Sequence, residues 1–366
     1  MKLGFFITSM NNGGAERVMS ILVNNFVLNK YEVHLFIYSK ENSFYKINPA
    51  VTVHHVYSDR NYFNKLGTFV LQYISLIKVK QLIKNNEIEC LVSFTTFVNC
   101  TTIILSKLTS IPVVISERND PLNWKPNFLV SLMRKYLYKH ANSIVLQTDR
   151  SIDSFKTLKV KLPLSKKVIF NPIDPSFSNE KKQKEKIILS VGRLSFEKGH
   201  DLLLKAFARS KFEEWKLHFV GNGVEKAKLM KLSKDLNIDG SIVWHGTQNK
   251  ISEFLNRSPI YILPSRTEGF PNALCEAMAC GCAVISFDCP NGPSEIIKDR
   301  ENGLLVNAED IEGLADAINT LIEDVNLRGK LGTEACKIVD KLDQNLIFLE
   351  WEAHVLDVLK QTQKTR

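Results

Sequence analysis

The stretch 261–285, YILPSRTEGFPNALCEAMACGCAVI, constrains the fold more than any other part of the chain. An apolar run stops at Pro264 and Ser265, and the loop that follows carries two helix breakers, Gly269 and Pro271. Residues 273–280 then have helix-forming composition, closed by Gly281 as a left-handed stop, before a second apolar run at 283–287. Strand, loop, short helix and strand make a βαβ unit, because parallel strands need a long crossover between them. Such units bind ligands where the carboxyl end of a strand meets the amino end of a helix. Glu268, in the loop, and Glu276, about one turn into the helix, fall at that corner. The unpaired N–H groups of the helix start carry partial positive charge, so the same corner favours a phosphate.

The pattern recurs along the chain. Residues 3–9 read as a strand, 11–14 as a loop, 15–29 as an amphipathic helix and 32–38 as the next strand. Gly13 and Gly14 in that loop let a ligand approach the backbone, although a plain turn explains them equally well. Apolar runs at 90–94, 112–116, 143–147 and 167–170 suit parallel strands. The second of these ends in SERNDP, 116–121, and a polar cluster at a strand terminus makes Glu117, Arg118 and Asn119 site candidates. The polar run 179–186, NEKKQKEK, reads as a boundary loop. A strand at 187–191 then releases GRLSFEKG, 192–199, ahead of a helix at 200–209. Arg193 offers a fork of donors and Lys198 a point charge, the pair that a diphosphate needs. Strands at 216–220 and 242–245 run into Gly221 and Gly246, and the last helix, 346–359, carries Phe348 and Trp351 as anchors back to the first half.

Composition narrows the function classes. A chain of 366 residues with 44% hydrophobic and 24% charged residues suits two soluble domains. Residues 1–170 hold 22 Lys and Arg against 10 Asp and Glu, a net +12, while the remainder carries −3. Nucleic acid, an anionic membrane surface or an anionic acceptor each accounts for such asymmetry. No basic-aromatic nucleic-acid motif is present, and no Gly-x-Gly-x-x-Gly follows a strand as a dinucleotide-dependent oxidoreductase requires. Two helical patterns, 59–86 with Lys65, Lys78, Lys80 and Lys84 and 128–140 with Arg134, Lys135 and Lys139, fit two readings. They cover the sheet with lysines outward, or they rest on anionic headgroups, and one helix can do both. The apolar run 66–77 is too short to span a bilayer, and the amino terminus lacks the features of a signal peptide. Seven cysteines without Cys-x2-Cys spacing support neither a zinc site nor a disulfide framework, so reduced cytosol is the expected compartment.

Taken together, these segments resemble glycosyltransferase family 4, whose retaining, nucleotide-sugar-dependent members carry a Glu-x7-Glu signature, here Glu268 and Glu276. The specific part of the resemblance runs from 186 to 306. It implies an α/β GT-B fold: two Rossmann-like domains facing a cleft, with a C-terminal helix crossing back to the first domain. The implied boundaries are an acceptor-binding domain at 1–172, a nucleotide-sugar-binding domain at 173–345 and the returning helix at 346–366. Arg193 and Lys198 are implied to hold the donor diphosphate, and Glu276 the ribose. Glu268 with Gly269, Phe270, Pro271 and Asn272 is implied to surround the sugar, while Gly221 and Gly246 border the base. Gly13 and Gly14 are implied to contact the donor diphosphate, and Glu16, Arg17 and Asn119 the acceptor. Glu117 and Arg118 complete the implied catalytic set, although many members carry a His at or near position 118. No metal or other cofactor is implied, and no strand end presents Asp-x-Asp. The GGAER and SERNDP segments are similar to those of members that add an N-acetylhexosamine, such as N-acetylgalactosamine, to polyprenyl-diphosphate glycans. The implied enzyme moves such a sugar from a UDP donor, in the cytoplasm and peripherally bound to the membrane. The alternatives are another donor (UDP-glucose, UDP-galactose or GDP-mannose) in lipopolysaccharide or capsule synthesis, or a non-catalytic nucleotide-sugar-binding protein.

Overall fold

The computed structural model describes residues 1–11, 13–39, 42–56, 65–123, 126–180 and 182–364, with backbone alone over 65–74. The chain divides into two compact units, Met1–Asn171 with Asn345–Arg366, and Pro172–Gln344. In the first, β1 (Lys2–Ile7), β2 (Glu32–Ile37), β3 (Thr52–His55), β4 (Cys90–Phe94), β5 (Val113–Ser116), β6 (Ser143–Leu146) and β7 (Ser165–Val168) form one sheet. Its order is β3-β2-β1-β4-β5-β6-β7, and every pairing is parallel. The second unit repeats the plan with β8 (Ile187–Val191), β9 (Lys216–Val220), β10 (Ile242–Trp244), β11 (Ile260–Leu263), β12 (Ala283–Phe287) and β13 (Leu304–Val306). The order there is β10-β9-β8-β11-β12-β13, again all parallel. The winding reverses at β1/β4 and at β8/β11, and ligands of open parallel sheets bind at such reversals.

Helices cover both faces of a parallel sheet, so its central strands are buried on both sides and read as continuous apolar runs. β4, β5 and β12 are buried throughout. Side chains alternate between faces: Phe5 enters the core with Phe26 and the last helix, while Phe6 enters the opposite one and stacks on Phe36 at 4.4 Å. The last helix, Gln344–Lys364, packs on the first sheet as its two aromatics suggest. Phe348 meets Phe26 edge-on at 5.0 Å, and the fully buried Trp351 lies 5.7 Å from Phe94. β3 has no counterpart in the sequence reading. Its residues, Thr-Val-His-His, are mostly exposed on the sheet's edge, and pairing with β2 rather than burial makes them a strand.

The lysine-rich helix spans Lys65–Asn85; residues 59–64 of the expected pattern and the side chain of Lys65 lie outside the described residues. Val79 and Ile83 turn into the core, with Lys78 and Lys84 exposed and Lys80 half-buried. In the helix Phe128–Leu137, Lys135 is exposed, as is Lys139 just beyond it. Arg134, grouped with them in the sequence, is instead buried and lies 5.9 Å over Phe155. Among the described residues no helix is long and apolar enough to cross a membrane.

Candidate active site

The second sheet's carboxyl edge is assembled by close loop-to-loop contacts. Gly192 N–H donates to Val220, Leu194 N–H to Asn222 and Gly221 N–H to Gly246, at 3.0, 3.0 and 2.8 Å, lacing together the loops after β8, β9 and β10. A side chain on Gly221 (φ +141°) would put its Cβ 1.9 Å from the Gly192 carbonyl oxygen, so loop packing already demands glycine there. Gly199 (φ +64°) is constrained in the same way, its Cβ position lying 1.9 Å from the Pro264 carbonyl oxygen. Glycine thus lets the loop after β8 press onto the end of β11.

That contact brings two sequence candidates together. Lys198 Nζ donates to both oxygens of Glu268, at 2.7 and 2.8 Å, and Ser265 Oγ donates to Glu268 Oε1 at 2.6 Å. Glu268 is 7% exposed, while the Lys198 side chain is 28% exposed, so the pair is sheltered on one side and open on the other. Arg266 pins the same loop: its guanidinium grips Asp201 with two 2.8 Å bonds, meets Glu309 at 3.1 Å and stacks 4.1 Å over Phe196. Arg193 is exposed and makes no ion pair among the described residues. Gly246 (φ +66°) faces open space.

The helix Asn272–Ala279 begins after Pro271 without a side-chain cap, leaving its amino terminus electropositive. Glu276, on that helix, is 6% exposed; Phe270 is buried, and Gly269 and Asn272 are half-buried. Beside Lys198, His200 is buried with Nδ1 lacking a hydrogen-bond partner and its ring edge-on to Phe219 at 5.3 Å. Burial, and then the Lys198 charge, hold its pKa down at about 3, so the imidazole is neutral.

The first sheet's carboxyl edge uses its charges differently. Glu16 turns back on the start of its own helix, Gly14–Leu28, where Ser9 Oγ donates to it at 3.1 Å. A Cβ on Gly13 would lie 2.2 Å from Glu16 Oε2. Gly14, Arg17 and Asn119 are half-buried. Glu117 is 3% exposed, and both its oxygens are engaged: Thr96 Oγ1 and Tyr138 OH donate to Oε2 at 2.8 Å each, and Arg118 N–H to Oε1 at 3.1 Å. Burial raises its pKa against these bonds. Arg118 stacks 3.8 Å over Phe94 and donates through Nη1 to Asn171 at 2.7 Å. Burial lowers its pKa to about 9, and its Nε and Nη2 have no hydrogen-bond partner.

The structure thus gathers Arg193, Lys198, Gly221, Gly246, Glu268–Asn272 and Glu276 on one sheet edge, and Gly13–Arg17 with Glu117–Asn119 on the other. Sequence reasoning did not single out Arg266 and Asp201, whose pairing shapes the loop, nor Asn291 in the loop after β12. Among the described residues no cluster of His, Cys, Asp and Glu is arranged to hold a metal ion.

Residues 174–337 match the glycosyl transferases group 1 family, and residues 11–148 the glycosyl transferase 4-like family. A Campylobacter jejuni protein, N-acetylgalactosamine-N,N'-diacetylbacillosaminyl-diphospho-undecaprenol 4-alpha-N-acetylgalactosaminyltransferase, is 32% identical over 343 residues, 89% of this chain and 92% of that one. The chain is a group 1, family-4-like glycosyltransferase. A second Campylobacter jejuni relative, an alpha-1,4-N-acetyl-D-galactosaminyltransferase acting on a diNAcBac-PP-undecaprenol glycan, is 27% identical and covers 98% of this glycosyltransferase and 99% of its own length. The lipopolysaccharide 1,6-galactosyltransferase of Escherichia coli is 34% identical over 186 residues, 48% of this chain and 50% of that one. Sucrose-phosphate synthase from Thermosynechococcus elongatus superposes with a TM-score of 0.85 at 15% identity, covering 100% of both chains. Anabaena HepE in complex with UDP gives 0.83 at 18%, covering 98% of this glycosyltransferase and 100% of that chain. These likenesses show the GT-B fold, in agreement with the family resemblance of the sequence.

Proposed function

We propose that the enzyme transfers an N-acetylhexosamine, N-acetylgalactosamine in the first instance, from a UDP-linked donor to a polyprenyl-diphosphate-linked glycan, with retention of anomeric configuration. The observation that carries the donor and acceptor is the 32% identity, over nearly the whole chain, with the Campylobacter jejuni N-acetylgalactosaminyltransferase. The site chemistry supports transfer from a nucleoside diphosphate. Breaking the anomeric C–O bond leaves a diphosphate, and stabilising that growing charge is the main catalytic task. Arg193, Lys198 and the uncapped helix start at Asn272 supply fixed positive potential for it, with no metal ion or other cofactor in the scheme. In the free enzyme Lys198 is neutralised by Glu268; a bound diphosphate competes for the ammonium and leaves Glu268 beside the sugar. Glu276 accepts from the ribose hydroxyls. The acceptor attacks from the face the leaving group vacates, and the departing phosphate takes its proton.

The acceptor side agrees with a peripheral position on the cytoplasmic membrane. Phe128, Leu132 and Tyr136 recur every four residues on one face of a helix and are 82%, 41% and 56% exposed, with Lys135 and Lys139 alongside. An aromatic face with flanking lysines suits anionic headgroups.

The test is a transfer assay with the full-length protein, a polyprenyl-diphosphate glycan acceptor and the common UDP- and GDP-sugars. UDP-N-acetylgalactosamine should be the preferred donor and the product should be the α-anomer by NMR. A β-linked product removes the retaining mechanism. Transfer from none of the donors, without donor hydrolysis, favours a binding protein. Preference for UDP-galactose is the second reading, favoured by the likeness of half the chain to the Escherichia coli galactosyltransferase.

A further inference from the structure

β11 and β12 are parallel neighbours, with Leu263 opposite Ser286, so the loops leaving their carboxyl ends lie side by side. Two features show how tightly. Gly292 has φ +128° and sits against Pro271, where an added Cβ would come within 2.5 Å of the proline ring. Cys289, three residues earlier, is fully buried and within electrostatic reach of Glu268 and Lys198. Residue 291 lies between Cys289 and Gly292.

Asn291 is 1% exposed, yet neither its Oδ1 nor its Nδ2 has a hydrogen-bond partner among the described residues. Ser294 Oγ, three positions on, is buried without a partner as well. An unmatched buried polar group costs about 1–3 kcal/mol, and this loop carries three such atoms in four residues. Buried apolar neighbours on the same loops are Phe270, Pro271 and Pro293.

We propose that Asn291 and Ser294 form a subsite for the acetamido group of the donor sugar. The inference rests on the glycosyltransferase reading of the Glu268 loop and names the part of the donor that this neighbouring loop recognises. A secondary amide carries its carbonyl and N–H on opposite edges, so it needs two partners, one on each side. Asn291 Nδ2 donates to the carbonyl and Ser294 Oγ accepts the N–H. Asn291 Oδ1 remains to accept from an adjacent ring hydroxyl, and the acetamido methyl meets the proline and phenylalanine surface. A plain hexose offers a hydroxyl in place of the acetamido group and leaves part of this set unmatched, and such sites reject analogues strongly.

The experiment compares kcat/KM for UDP-N-acetylgalactosamine and UDP-galactose in the wild type, Asn291→Ala, Asn291→Asp and Ser294→Ala. UDP affinity, read by calorimetry, reports that each variant is folded. The expected result is a preference for the acetamido donor that falls by about tenfold or more in Asn291→Ala and by less in Ser294→Ala. Asn291→Asp keeps the shape and loses the donor, so it should lose the preference even where the alanine variant folds poorly. An unchanged ratio in variants that still bind UDP overturns the proposal, as does a wild type that uses both donors equally. A wild type that transfers from neither overturns the N-acetylgalactosamine donor of the proposed function, and the subsite with it.

Discussion

The two sheets share one winding pattern but treat the charges at their carboxyl edges in opposite ways. In the first unit Glu117 is hydrogen-bonded by Thr96, Tyr138 and a backbone N–H, Arg118 is stacked on Phe94 and tied to Asn171, and Glu16 turns back on its own helix. In the second, Arg193 is exposed, and Lys198 holds Glu268 through an ion pair open to solvent on the lysine side. A buried carboxylate holding three hydrogen bonds is costly to release, since removing one donor leaves a buried acceptor short of a partner. A half-exposed cation can change partners at small cost. Identical topology therefore supports two kinds of edge, and the second has the chemistry of a diphosphate cradle.

The largest expected effect that sharpens this contrast comes from Glu268→Gln. It keeps the loop's shape while removing the charge beside the sugar, and kcat should fall by about a thousandfold with UDP still bound. A loss below tenfold would mean that Glu268 holds the shape of its loop and does no chemistry at the sugar.

Acid should separate the units next. His200 has a folded pKa of about 3 and His218 of about 4, each lowered first by burial. Both lie below the unfolded value near 6.5, so the unfolded chain binds protons first and stability is lost as pH falls below about 6.5. His200 alone contributes a slope of about 1.4 kcal/mol per pH unit in that window. His54 and His354 in the first unit are lowered by burial too, but by smaller shifts. Hydrogen exchange between pH 7.5 and 4.5 should therefore show the second unit weakening more steeply, and His200→Phe should flatten the slope. Equal weakening in both units would break the contrast.

On the first unit, Phe128→Ser with Leu132→Ser should weaken binding to anionic vesicles by about tenfold. Retained vesicle affinity in co-sedimentation would remove the membrane role of this helix. The smallest effect is expected from Tyr138→Phe, which takes one donor from Glu117 and should lower stability by about 1–2 kcal/mol in urea melts. The same variant should leave UDP affinity unaltered.

The central strands were legible because parallel strands are apolar throughout, and the strands read at 187–191 and 216–220 match the observed β8 and β9 without adjustment. The edge strand β3 was not, since pairing alone defines it. β7 lies at 165–168 rather than 167–170, because lysines in an edge strand blur its ends. At the site, Glu268 and Lys198 were legible as types at strand ends. Their mutual bond was not, because it depends on Gly199 meeting Pro264 from 65 positions away in the chain. Likewise nothing local marks Glu117 as hydrogen-bonded from two helices, since Tyr138 and Thr96 come from separate helical segments. The burial of Arg134 is not legible, because periodicity does not say which face of its helix looks inward.

Calorimetry of UDP and uridine binding to the wild type and to the Arg193→Ala, Lys198→Ala double variant tests the diphosphate cradle most directly. UDP affinity should fall by about a hundredfold or more while uridine affinity stays within a factor of two or so. Equal losses for both ligands, or no loss for UDP, would mean that these two cations do not hold the diphosphate.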